Sequence, residues 1–171
     1  MDRKGQSALF DAILFFVIAL VASAAVLAYS ASSFVREETA AREQALAYAE
    51  DVRVALMRTT LDRPWYLDRV GYRVELGRGV TVERFLVDQG VLLAGGVAPS
   101  NFEAEDRAIL GILDALLRPP FAGGIEVTSG PPTDRLWLGA GAGPPSDRFT
   151  ASWSYAVHGT TVEVAVHLWY A

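Results

Sequence analysis

The sequence predicts an α+β protein in which one long N-terminal helix carries a small head of helices and an antiparallel sheet that ends in a hairpin. Three observations predict this. Residues 12–35 form an uncharged apolar run, residues 36–60 continue with helix-forming residues and no glycine or proline, and towards the C-terminus apolar and polar residues alternate. We divide the chain into residues 1–5, the long helix at 6–62 and the head at 63–171.

The apolar run at residues 12–35 is long enough to cross a membrane. At a rise of about 1.5 Å per residue, it exceeds the roughly 30 Å hydrocarbon core of a bilayer. A buried helix of a soluble protein would normally have a polar face, and the apolar part of a secretory signal is shorter. The run is therefore predicted to span the lipid bilayer.

The charges on either side of the span predict its orientation. Arg3 and Lys4 precede it, and the acidic Arg36-Glu37-Glu38 segment follows it. Positive residues next to a span are retained on the cytoplasmic side. We therefore expect a cytoplasmic N-terminus, and a head that lies outside the cell.

The second half of the long helix is predicted to be an amphipathic stalk. Leu46, Ala49, Val52 and Leu56 recur at helical spacing and share one face. This apolar face is expected to pack against the head, in one continuous helix from about residue 7 to residue 60.

The middle of the chain predicts two helices of the head. Thr81 is a candidate N-cap for a helix at 82–94, and Ser100 with Glu103 fits a capping box. The second helix is expected to run to Arg118. Its predicted buried positions are Ile109, Ile112, Leu113, Leu116 and Leu117.

Period-two patterning predicts the sheet. A first strand is expected at Tyr72–Leu76, then Ile125–Ser129 and Arg135–Leu138. A hairpin is expected between Arg148–Val157 and Thr160–Tyr170, because His158-Gly159 suits a two-residue turn. The predicted facing pairs, all on the core side, are Val157–Thr160, Tyr155–Val162, Trp153–Val164, Ala151–Val166 and Phe149–Leu168.

Composition and motifs give no prediction of catalysis, of a metal site or of a cofactor. There is no cysteine, and the net charge is −5, which disfavours nucleic acid as a partner. His158 is expected in the turn, and His167 on the exposed polar face of the last strand near Glu163. No serine occurs in a nucleophile motif. The prediction is therefore a protein that is not an enzyme.

The N-terminal sequence Arg3-Lys4-Gly5-Gln6-Ser7, followed by the apolar run, resembles the class III signal peptide of archaeal type IV pilin-like proteins. The resemblance implies that a prepilin peptidase cuts between Gly5 and Gln6 and removes the leader charges Arg3 and Lys4. It also implies that the apolar helix stays in the mature protein and packs against other pilin-like subunits in a surface filament.

Two further features bear on this resemblance. Many members of the family have glutamate at the fifth mature position, which is Phe10 here, whereas the acid is Asp11. This departure favours a minor pilin over a major one. The residues expected at helix–helix contacts are Asp11 and the small residues Ala19, Ala22, Ser23, Ala25 and Ala28.

Two other functions stay open on the sequence alone. The first is an uncleaved, membrane-anchored module for extracellular binding or adhesion, which predicts that Arg3 and Lys4 persist. The second is an extracellular enzyme, which requires a pocket with convergent polar groups. The sequence does not distinguish adhesion from motility, secretion or uptake.

Overall fold

The computed structural model describes the backbone of residues 3–130, 134–157 and 159–171, and the side chains from residue 14 onward within those ranges. The chain divides into two compact units, Met1–Gln44 and Ala45–Ala171. The second unit is the α+β head, which confirms the predicted class. The elements in chain order are α1 (Arg3–Arg58), β1 (Thr60–Leu61), β2 (Trp65–Leu67), β3 (Arg73–Glu75), β4 (Val80–Thr81), α2 (Val82–Ala94), α3 (Glu103–Leu116), β5 (Phe121–Ser129), β6 (Asp134–Leu138), β7 (Phe149–Val157) and β8 (Thr160–Tyr170).

The long helix α1 ends at Arg58, one turn before the expected boundary at residue 62. It ends there because β1 pairs with β4, so that Thr60 faces Thr81 in an antiparallel ribbon. The predicted apolar face is buried in the head at Ala49, Val52 and Leu56. Leu46 is 44% exposed, contrary to expectation, and the neighbouring buried position is Ala45.

A tyrosine near the start of the head joins α1 to the end of α3. The hydroxyl of Tyr48 donates to the carbonyl of Leu116, at 3.1 Å, and accepts from the amide of Arg118, at 2.9 Å. It thereby satisfies backbone groups that the end of a helix leaves without partners. The helix α3 ends at Leu116, two residues before the expected end at Arg118, because Leu117 has an extended backbone.

The predicted N-terminal cap was correct for α2 and wrong for α3. Thr81 caps α2 as predicted, and its hydroxyl accepts from the amide of Arg84 at 3.2 Å. The capping box predicted for Ser100 and Glu103 does not form, since Ser100 lies in a 3-10 turn at Pro99–Phe102 and α3 has no side-chain cap.

The main sheet has four antiparallel strands in the order β6-β5-β8-β7. All five predicted facing pairs of the β7–β8 hairpin are confirmed. The strand β5 begins at Phe121, four residues before its predicted start, because β8 offers partners along its whole length. The strand expected at Tyr72–Leu76 is shorter, and β3 pairs with β2 in a separate ribbon.

One face of this sheet packs against α2, α3 and the end of α1 to form the core. Gly90 of α2 lies so close to the sheet that a β-carbon there would be 2.5 Å from Cγ1 of Val162. By contrast, a β-carbon at Gly111 of α3 would meet no atom within 4 Å. Gly90 therefore sets how closely α2 approaches β5 and β8.

We expect Gly90→Ala to lower the free energy of unfolding by about 1–3 kcal/mol, because the added methyl overpacks the contact with Val162. The matched control Gly111→Ala is expected to raise it by about 0.5–1 kcal/mol, because alanine favours the helix. Urea unfolding of the full chain in mild detergent, followed by tryptophan fluorescence, measures both. Equal stability of Gly90→Ala and the wild type would contradict the close helix–sheet contact.

Candidate functional site

The apolar part of α1 exposes its large side chains on all sides. From Leu14 to Val35 the large apolar residues of this segment are 51–75% exposed. The helix is long and apolar enough to cross a bilayer. Its length and composition agree with the predicted span at 12–35, of which residues 14–35 have described side chains.

The hydroxyl groups near the end of the apolar segment bond to the helix itself. Ser32 donates to the carbonyl of Tyr29 at 2.8 Å, and Ser33 donates to the carbonyl of Ser30 at 2.9 Å. A hydroxyl in hydrocarbon must find a partner within the protein, because lipid offers none. These serines therefore suit the boundary of a membrane span despite their polarity.

The small residues predicted at helix contacts are all exposed: Ala19, Ala22, Ser23, Ala25 and Ala28. At about 100° per residue they spread over roughly 220° of the helix circumference. A two-helix contact would need only a narrow stripe of small residues. This wide arc leaves room for neighbours on more than one side.

The predicted processing residues lie in α1, but their side chains are outside the described part of the chain. These residues are Arg3, Lys4, Gly5, Gln6 and Asp11. Cleavage after Gly5 and pairing through Asp11 therefore stay predictions. His158, predicted in the hairpin turn, also lies outside the described residues.

His167 lies on the outer face of the sheet, as expected, but it is buried rather than exposed. It is 3% exposed. Its Nδ1 atom is 2.9 Å from the hydroxyl of Thr150, and its Nε2 atom is 3.2 Å from a carboxylate oxygen of Glu126. Its acidic partner is therefore Glu126, on the neighbouring strand β5.

The surroundings of His167 favour a neutral ring. Burial lowers the pKa of His167, and this outweighs the opposing effect of the Glu126 carboxylate. In the neutral ring, Nε2–H donates to Glu126, and Nδ1 accepts from Thr150. Arg135 holds Glu126 in turn, with its Nε atom 2.5 Å from the carboxylate.

Two tryptophans cover this polar group. The ring centroid of Trp137 lies 5.9 Å from that of His167 and 6.2 Å from that of Trp169. Gly124 and Gly139 make room for Trp137, because a β-carbon at either position would collide with its ring. The outer face therefore has its own packed layer over a hydrogen-bonded centre.

The order hydroxyl, imidazole and carboxylate in Thr150, His167 and Glu126 is also the order of a nucleophilic triad. The adjoining depression has a volume of about 130 Å³, whereas small-molecule sites usually have about 300–1,000 Å³. No group of three metal-binding side chains occurs among the described residues. The hydrogen bonds of the three side chains link β5, β7 and β8 on the outer face.

A second buried polar pair lies between α2 and α3. Asp106 is 7% exposed, and the amide nitrogen of Gln89 donates to its Oδ1 atom at 3.0 Å. Burial raises the pKa of Asp106 to about 7, against the smaller lowering effect of Gln89. Asp106 also lines an open groove beside β6.

Comparison with models of protein families, with curated proteins and with solved structures finds no match for this chain. Its function is therefore argued from its own residues.

We expect Asp106→Asn to stabilise the head at pH 8 but not at pH 4. The folded pKa of Asp106 lies above its unfolded value, so its contribution to stability is present at low pH and is lost as the pH rises towards 7. Asparagine avoids burying a charge, and we expect a gain of roughly 1–4 kcal/mol at pH 8. Urea unfolding of both proteins at the two pH values measures it. An equal difference at pH 4 and pH 8 would contradict the raised pKa.

Proposed function

We propose that this chain is a non-enzymatic, membrane-anchored pilin-like subunit of an archaeal type IV filament or of its assembly machinery, and a minor rather than a major subunit. In this proposal a prepilin peptidase removes residues 1–5, and the mature protein assembles through α1. The observation that carries it is the single helix Arg3–Arg58, which includes the leader motif, the membrane-length apolar segment and the first core residues of the head.

The exposed apolar segment of α1 supports both stages of this proposal. In the bilayer, its large side chains contact lipid on every side. In a filament, the same surface packs against other helices, and the wide arc of small residues lets several neighbours approach closely. Loss of Arg3 and Lys4 removes the charges that retain the N-terminus at the cytoplasmic surface.

The head does not depend on disulfides for its stability. It has no cysteine and therefore no disulfide, and its stability rests on a core to which Ala49, Val52 and Leu56 of α1 contribute. The head thus includes the end of the assembly helix and needs no separate linker segment. The acidic segment after the span agrees with an extracellular head.

Processing is tested by the N-terminal mass of the protein isolated from its native membrane. The wild type is expected to begin at Gln6, whereas Gly5→Val keeps residues 1–5, because a branched side chain replaces the glycine before the cut. Ser7→Val, which makes a similar change beyond the cut, is expected to be processed. If wild type and Gly5→Val both keep Arg3 and Lys4, the chain is instead an uncleaved, anchored binding or adhesion module.

Assembly is tested with two matched substitutions on opposite sides of α1. Ala22→Phe places a large ring near the middle of the small-residue arc, and overpacking there is expected to cost about 1–3 kcal/mol per contact. The yield of cross-linked oligomers in native membranes should fall about tenfold or more. Ala24→Phe lies about 160° away and should retain most of the wild-type yield. Equal yields from the two variants would contradict packing through this arc.

A further inference from the structure

The strand β6 is an edge of the main sheet, and one side of its backbone has no strand partner. The amide of Gly130 donates to Thr161 of β8 at 3.1 Å. This bond shows that the even-numbered residues on this side of the sheet direct their backbone N–H and C=O groups towards β8. Because these groups point to opposite sides at successive residues of a strand, the odd-numbered residues of β5 bond to β6. Their partners in register include Leu136 and Leu138.

It follows that the backbone groups of Arg135 and Trp137 point away from the sheet. Among the described residues, no backbone hydrogen bond outside the sheet reaches β6. An edge of this kind can pair with an added strand. Arg135 is exposed, so this part of the edge is accessible.

A groove runs beside this free edge, between β6 and the helical layer. It consists of two adjoining pockets of about 220 and 420 Å³, and both include Pro99 and Leu136. Its far wall is the 3-10 turn and the first half of α3, including Asp106. A strand added to β6 would therefore have space for the side chains that point towards the core side.

The polar residues of the groove give it an excess of negative charge. Arg107 pairs with Glu103 at 2.9 Å, and Arg135 pairs with Glu126 on the outer face. Asp134 has no ion-pair partner among the described residues. Asp106 has only the neutral amide of Gln89, and it adds a negative charge above its raised pKa of about 7. Asp106 lines the larger pocket. Its one side-chain hydrogen bond among the described residues is to Oδ1, so Oδ2 is left for a further donor.

We propose that the free edge of β6 and its groove bind an extended segment of a partner protein as a fifth strand. Its backbone bonds to Arg135 and Trp137, one apolar side chain covers Leu136, and a lysine or arginine reaches Oδ2 of Asp106. The apolar wall and the alternating backbone groups fit the binding of a peptide strand, and the basic side chain complements the acidic groove.

The charge of the protein favours a different protein over a second copy as the occupant. The net charge of −5 belongs entirely to residues 36–171, because the charges of residues 1–35 sum to zero. Two acidic heads repel each other when they meet edge to edge.

This inference concerns the head alone, so it can fail while the proposed processing and assembly hold, and the reverse. The test uses the full chain in lipid nanodiscs at about pH 8, above the raised pKa of Asp106, and two labelled nine-residue peptides. Each peptide alternates threonine with valine, and the central valine is replaced by lysine in one and by glutamate in the other. Fluorescence anisotropy gives Kd, and NMR gives the hydrogen exchange of the Arg135 and Trp137 amides.

We expect the lysine peptide to bind at least about tenfold more tightly than the glutamate peptide and to slow exchange at both amides. Arg135→Pro removes one outward donor at a position that an edge strand tolerates, and should weaken binding about tenfold. Arg135→Ala keeps that donor and should bind within about threefold of the wild type. Asp106→Asn should abolish the preference for lysine over glutamate without preventing folding.

Two results would overturn the inference. The first is that neither peptide, at about 1 mM, slows exchange at Arg135 and Trp137. The second is that, without peptide, hydrogen exchange at both amides slows as the protein concentration rises, and that Arg135→Pro prevents this slowing. The occupant of the edge would then be a second copy of this chain. If Arg135→Pro does not fold, Asp106→Asn decides the question. Loss of the preference for the lysine peptide supports binding in the groove, and retention of that preference contradicts it.

Discussion

The structure depends on the burial of one side of the last turns of α1 in the core of the head. Ala45, Ala49, Val52 and Leu56 are at most 4% exposed there. The two alanines are small, so they leave room for close packing, and the larger residues fill the space between α2, α3 and the sheet. Without disulfides, a head of this size needs every such contact, since small domains bury a limited share of their surface. The same helix continues, in the other compact unit, as an apolar segment without a described partner.

The parts of the fold that the sequence predicted are those governed by local periodicity. The register of the β7–β8 hairpin follows from a two-residue turn and from alternation, and each of its facing pairs is correct. The cap at Thr81 is likewise a local interaction between a side chain and the following turn. The capping box at Ser100 failed because the chain continues there in a 3-10 turn that places Phe102 in the core. Burial of a large aromatic ring outweighs a single cap hydrogen bond.

The polar clusters of the head could be predicted only in part. The hairpin register already places Thr150 opposite His167, so their contact could have been read from the sequence. Glu126 could not, because its position depends on β5 lying beside β8, which is a long-range pairing. The burial of His167 follows from Trp137, whose ring fits over Gly124 of β5 and Gly139, which directly follows β6. The groove beside β6 could not be predicted from the sequence either, because it forms between α3 and a strand that is distant in sequence.

We propose that one helix serves two environments, lipid along residues 14–35 and the core of the head from residue 45. The chain has no cysteine, so single cysteines placed along α1 can each carry a nitroxide spin label in an otherwise unlabelled protein. We would measure the collision of each label with oxygen and with a water-soluble nickel complex, for the full chain in a bilayer. The account predicts high oxygen accessibility on every side of residues 14–35, then protection from both agents at positions 45, 49, 52 and 56. Collision with the nickel complex throughout residues 14–35, or equal accessibility on all sides after residue 45, would contradict it.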